Sequence, residues 1–137
     1  MPQRVLIVDD EEDARLMISA VAGTAGFETV EACDGREALD ILQEDAEFAL
    51  VICDKMMPRL DGYEVVRYMR GDDRLKDIPV IMSTADRTTQ HLGGLAPDGK
   101  THFVNKASGV ESMRQGIQRA LGLDLADKST REMPTLE

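Results

Sequence analysis

Five side chains in this sequence could do phosphate or metal chemistry together: Asp9, Asp10, Asp54, Thr84 and Lys106. Carboxylates are hard oxygen donors, and a site with one or two direct carboxylates suits Mg²⁺, which keeps several of its waters. A hydroxyl and an ammonium are donors for phosphoryl oxygens, and phosphoryl transfer rests mostly on positioning and charge neutralisation. A carboxylate can also act as the nucleophile and become an aspartyl phosphate. Each of these residues closes a short apolar run: Val5–Val8 leads to Asp9-Asp10, Phe48–Cys53 to Asp54, Val80–Met82 through Ser83 to Thr84, and Phe103-Val104 through Asn105 to Lys106. If the runs are parallel strands of one sheet, their polar ends emerge at one edge, where open α/β sheets bind ligands.

The elements that would position them alternate along the chain. Residues 4–8 read as a strand covered on both faces. From Asp10 the period becomes helical, with Ala14, Met17, Ile18, Val21, Ala22 and Ala25 on one stripe, and Gly26 ends that helix. Residues 27–32 read as a second strand. Asp34-Gly35-Arg36-Glu37 has capping-box spacing and opens a helix with Ala38, Ile41 and Leu42 inward. Residues 48–53 read as the third strand. After the loop Asp54–Asp61 and Gly62 comes a helix with Val65, Val66 and Met69 on one face. Pro79 marks entry to a strand at 80–84. Residues 86–99 should hold the fourth helix, but Gly93-Gly94 and Pro97 each disfavour one, by about 1 kcal/mol per Gly and about 3 for Pro, so an irregular element is expected. Residues 101–105 read as the fifth strand. Ser108-Gly109-Val110-Glu111 is a further capping box, leading a helix with Val110, Met113, Ile117 and Leu121 inward. This pattern predicts an α/β fold: a doubly wound five-stranded parallel sheet in the order 2-1-3-4-5, with Asp9, Asp10 and Asp54 flanking the switch point between strands one and three.

Composition narrows the partners. The chain has 137 residues, enough for one domain with a real core. Sixteen Lys and Arg against 26 Asp and Glu leave a net charge of −10, which opposes nonspecific binding to nucleic acid or to an anionic membrane. No apolar run approaches the roughly 20 residues that span a bilayer, and the start lacks a signal-peptide pattern. Two cysteines, Cys33 and Cys53, are too few for a disulfide framework and read as reduced thiols. A cytoplasmic protein is expected. Residues 1–122 read as one domain and 123–137 as a polar tail or the start of a linker.

Within the predicted edge, Asp54 is the natural phosphoryl acceptor, because its strand is central and a roomy loop follows it. Thr84 would donate its hydroxyl to one phosphoryl oxygen and Lys106 would pair with another. Three carboxylates at close range repel, and a divalent cation removes the conflict.

Five stretches in order carry a resemblance: Val5–Glu11, Val51–Pro58, Asp61-Gly62, Ile78–Ala85 and Phe103–Lys106. Over roughly residues 3–121 the chain resembles the receiver domain of bacterial response regulators, a flavodoxin-like fold. The resemblance implies transfer of a phosphoryl group to Asp54 from a phosphohistidine on a sensor histidine kinase or phosphotransfer protein. It implies Mg²⁺ bound by Asp9, Asp10, Asp54 and the backbone carbonyl of Met56. It further implies that Thr84 and Phe103 rearrange on phosphorylation to change the surface offered to a downstream protein target, and that Met56 and Asp86 tune the lifetime of the phosphoryl group. Such a domain is a switch rather than an enzyme acting on other substrates.

The sequence departs from that family in three places. One is the lifetime-tuning pair, where Met56 cannot hold a water for attack and Asp86 can, which leaves the lifetime open. Ala107 follows the lysine where the family usually has a cis-proline, and a cis bond before a non-proline residue costs roughly 3 kcal/mol, so a trans bond is expected. The irregular 86–99 segment lies on the usual partner face. Both leave open a pseudo-receiver, an interaction module of the same fold that carries no phosphate. A Mg²⁺-dependent hydrolase fits poorly, because Met56 stands where a second carboxylate is wanted. Taken singly, Asp10 could cap the first helix, His91 and His102 read as surface histidines, and Asp72-Asp73-Arg74 reads as a solvated loop.

Overall fold

In the computed structural model, residues 3–57, 60–84, 100–105 and 109–122 are described. Five strands, β1 (Arg4–Val8), β2 (Glu28–Ala32), β3 (Leu50–Asp54), β4 (Val80–Thr84) and β5 (Thr101–Asn105), pair in parallel in the order β2-β1-β3-β4-β5. The expected architecture is thus the observed one. β3 starts two residues later than the apolar run suggests and includes Asp54, which pairs in register with Ser83. The three central strands β1, β3 and β4 are buried almost throughout, which is why they read as continuous apolar runs. β2 and β5 are edge strands and half exposed.

Four helices are described: α1 (Glu12–Thr24), α2 (Gly35–Glu44), α3 (Gly62–Arg70) and α4 (Gly109–Leu121). Side chains of a strand alternate between faces, so the sheet feeds two cores. Leu6, Val51, Cys53 and Met82 pack with α2 and α3 residues such as Leu42, Val66 and Met69. Ile7, Ile52, Ile81 and Val104 pack with α1 and α4 residues such as Ile18, Met113 and Ile117.

The helix ends agree only in part with the sequence. Gly26 follows the C-cap of α1 at φ 98°, the left-handed region that glycine enters without strain. Asp34 caps α2 by accepting from the Glu37 N–H at 2.8 Å, but the Glu37 carboxylate reaches past it to the Cys33 N–H at 2.7 Å. α3 carries a complete reciprocal box, Asp61 with Glu64. Val110, expected inward, is 56% exposed. It lies on the correct stripe, but Gly109 and Glu111 beside it in the first turn of α4 are exposed as well, and burial begins with Met113. His102 is half-buried in β5 rather than on the surface. Arg74 is not merely solvated: its guanidinium donates to the carbonyls of Leu42 and Gln43 at the end of α2, where a cation is favoured. The expectations for residues 86–99, His91, the Lys106-Ala107 bond and the 123–137 tail fall outside the described residues.

Candidate functional site: a carboxylate cluster at the strand ends

Register decides what the carboxyl edge presents. Val8 pairs with both Ala32 and Cys53, and Asp54 pairs with Ser83, so β1 and β3 end level with each other. Asp9 and Asp10 therefore leave β1 beside Asp54, and one carboxylate oxygen from each of the three lies within 4.8 Å of the others. Asp9 is fully buried and Asp54 nearly so, whereas Asp10 is exposed. Thr84 ends the next strand, is 4% exposed, and pairs in register with Asn105, the residue before Lys106. Lys106 and Asp86 themselves lie outside the described residues.

The local fold holds these groups firmly. The Asp9 carboxylate accepts from the Glu11 N–H at 2.9 Å, at the N-terminus of α1, so Glu11 takes the N-cap position and the Asp10 cap reading falls. The Asp9 N–H donates to the Ala32 carbonyl at 3.1 Å, and the Asp9 carbonyl accepts from Arg15 Nη1 at 2.6 Å. Arg15 Nε in turn meets a Glu31 oxygen at 3.0 Å, on the residue before Ala32. Asp9 is thus clamped from β2 and from α1. On the other strand, the Met56 N–H donates to an Asp54 carboxylate oxygen at 3.3 Å, while the Met56 side chain is 70% exposed. Gly62 allows α3 to start against this loop: a Cβ there would sit 2.4 Å from the Asp54 main-chain oxygen.

Burying carboxylates is costly unless they are paired or bound to a metal. Three hard oxygen donors meeting at this distance match what Mg²⁺ or another small divalent cation prefers, and the donor set fits such an ion. Cys53 adds nothing to this chemistry. It faces the other core, and burial pushes its thiol far above the ordinary range. The exposed Cys33 thiol is also raised, first by its hydrogen bond to Glu37.

Three contributors were not singled out from sequence. Arg15 carries no motif that sets it apart from any other helical arginine. Gly62 reads as a helix start. Ser83 reads as a step on the way to Thr84, yet it is fully buried and its Oγ makes no hydrogen bond among the described residues. Such a hydroxyl costs about 1–3 kcal/mol. Phe103 pairs in register with Met82 and packs, half-buried, against the α2–α3 core.

The chain is similar to known proteins. The family model described as the response regulator receiver domain matches residues 5–118. Response regulator MprA of Mycolicibacterium vanbaalenii is 42% identical over 96% of this chain, which spans 56% of that protein's length. The polar-differentiation response regulator DivK of Brucella anthropi is 30% identical, covering 89% of this chain and 98% of its own. Among solved structures, the chemotaxis response regulator CheY4 of Vibrio cholerae superposes with a TM-score of 0.76 at 31% identity, covering 88% of this chain and all of its own. With its 2-1-3-4-5 sheet and its cluster of acids at the strand ends, the chain belongs to the receiver-domain family of two-component response regulators.

Proposed function

We propose that this domain accepts a phosphoryl group on Asp54 from the phosphohistidine of a histidine kinase or phosphotransfer protein, and thereby switches its affinity for a downstream protein target. The observation that carries this reading is the meeting of Asp9, Asp10 and Asp54 oxygens within 4.8 Å. A carboxylate oxygen of Asp54 forms the new O–P bond as the P–N bond of the donor breaks. The electron pair stays on the imidazole nitrogen, which takes a proton from solvent. Asp9, Asp10, Asp54 and the main-chain carbonyl of Met56 would hold Mg²⁺, which supplies neutralisation of the phosphoryl oxygens. Thr84 donates its hydroxyl to one phosphoryl oxygen and Lys106 pairs with another. Thr84 and Phe103 then carry the change to the β4–β5 side of the molecule, and Met56 and Asp86 set how long the phosphoryl group lasts. The response regulator Rcp1, whose structure is described as a Mn(2+)-bound form, is 27% identical over 64% of this chain with a TM-score of 0.57, which supports the cation assignment. No described helix is long and apolar enough to cross a membrane, and we place this domain in the cytoplasm.

Incubation with acetyl phosphate and Mg²⁺, followed by intact-mass measurement, tests the reading. The expected result is a gain of one phosphoryl group, absent in Asp54→Asn and absent when Mg²⁺ is chelated. No gain in the unsubstituted protein would leave the alternative, an interaction module of the same fold, a reading favoured by Ala107 after the lysine.

A further inference from the structure

The fully buried Ser83 stands beside the proposed acceptor. Ile52 and Ile81 pair in register and both face the α1–α4 core, so two residues further along, Asp54 and Ser83 pair and share that face. Asp9 lies on the same face, two residues beyond Ile7. Neighbouring strands run about 4.8 Å apart, so the registered Ser83 and Asp54 are lateral neighbours, although their side chains do not bond in this resting structure. On its other side Ser83 pairs with Val104, whose Cγ2 stands 2.4 Å from where a Cβ on Gly116 of α4 would lie. That flank is apolar and tightly closed. The Ser83 hydroxyl therefore has an aliphatic wall on one side and the acceptor carboxylate on the other.

We propose that Ser83 is a second hydroxyl of the phosphoacceptor site. In the resting protein it is left without a hydrogen bond. In the phosphorylated protein it donates to the Asp54 carboxyl oxygen that does not carry the phosphoryl group. A hydroxyl buried without a partner in one state and bonded in the other penalises the first and favours the second. Ser83 thus biases the domain toward its phosphorylated form. It differs in role from Thr84, which the reading above assigns to a phosphoryl oxygen, and it rests on Asp54 being the acceptor.

The test compares the full chain with Ser83→Ala and Ser83→Cys, using beryllofluoride and Mg²⁺ as the phosphoryl mimic. The Ser83→Ala protein should melt higher than the parent when unmodified, because an unsatisfied buried hydroxyl is gone. It should also bind the mimic about fivefold to tenfold more weakly, the size of one lost hydrogen bond. Ser83→Cys, a weaker donor of nearly the same shape, should fall between the two. Equal affinity for the mimic in the parent and both variants would overturn the proposal, as would a Ser83→Ala protein whose unmodified form melts lower. A parent that binds no mimic and gains no phosphoryl mass would instead remove the Asp54 reading, and this inference with it.

Discussion

The two edges of the sheet treat charge in opposite ways. At the amino edge, Arg4 meets Asp45 at 2.5 Å, stacks over the Phe48 ring at 4.5 Å and donates to the Glu47 carbonyl. Arg70 donates to the carbonyls of Lys76 and Ile78 and to the Thr101 hydroxyl, and Lys100 meets Asp77 at 2.7 Å. Opposite charges are matched there, and the result is to fasten turns to strands. At the carboxyl edge, three like charges meet oxygen to oxygen, two of them buried. A recess of about 840 Å³ opens at the amino edge between Gln3, Arg4, Glu28 and the 45–49 turn, and there Arg4 is paired with Asp45. The aspartates of the carboxyl edge instead gather like charge at one point, a donor set that suits a divalent cation. Clustered like charge, rather than concavity, marks the candidate site of this domain.

The contrast breaks most visibly at Asp9. Asp9→Asn keeps an oxygen for the Glu11 N–H but removes one buried negative charge. In a chelator the variant should melt about 3–5 °C higher, because like charges no longer crowd the site. With Mg²⁺ the parent should be stabilised and the variant hardly at all, its affinity falling at least tenfold. Thermal melts with and without the cation read both effects. A variant that still responds to Mg²⁺ like the parent would show that the cluster is not the cation site.

Gly62→Ala tests whether the acceptor strand depends on the close seat of α3. A Cβ would meet the Asp54 main-chain oxygen at 2.4 Å and the Lys55 Cα at 3.1 Å, and backbone cannot yield cheaply. Denaturant unfolding should show a loss of about 1–3 kcal/mol, together with slower phosphorylation by acetyl phosphate. Arg15→Lys is subtler. Charge is kept, but a lysine cannot hold both the Asp9 carbonyl and Glu31 in the forked geometry seen here. Supporting groups around a metal site can be worth tenfold or more in affinity, and about threefold to tenfold weaker Mg²⁺ binding is expected, with little change in the melt in chelator.

How far these features could be read from the chain follows from their physics. The order of strands and the converging aspartates were legible because β1, β3 and β4 are covered on both faces, which forces unbroken apolar runs, and because each run ends on a chemically distinct residue. Arg15 was not legible, since an arginine in the second turn of a helix looks the same whether it faces solvent or reaches back to a strand end. Ser83 was hidden by its neighbour Thr84, and only the register with Asp54 gives it meaning. Val110 satisfied helical spacing, but spacing alone does not say whether anything covers the first turn of a helix. Arg74 looked solvated because its partners, the carbonyls of Leu42 and Gln43, belong to the backbone of a helix far away in sequence.

The smallest expected effect lies at the matched edge. Arg4→Ala removes a partly exposed ion pair, with side chains 27% and 36% exposed, and a ring contact, together worth about 1 kcal/mol at neutral pH. Phosphorylation of Asp54 should be untouched, since the change is at the opposite end of the strands. The pH dependence carries the sharper signal. The Arg4 guanidinium, and after it the Glu47 N–H, hold the Asp45 carboxyl below the usual carboxylate range. A carboxyl depressed in the folded state adds stability above its unfolded value, near 4, and that stability is lost as pH falls through the folded value. The difference between the parent and Arg4→Ala should therefore be constant from pH 7 to about 5 and shrink below about 4, as both proteins come to hold a protonated Asp45. Urea midpoints taken down the acid limb measure this directly. A gap that stays constant to the lowest pH would assign the stabilisation to the stacking of Arg4 on Phe48, and not to the ion pair.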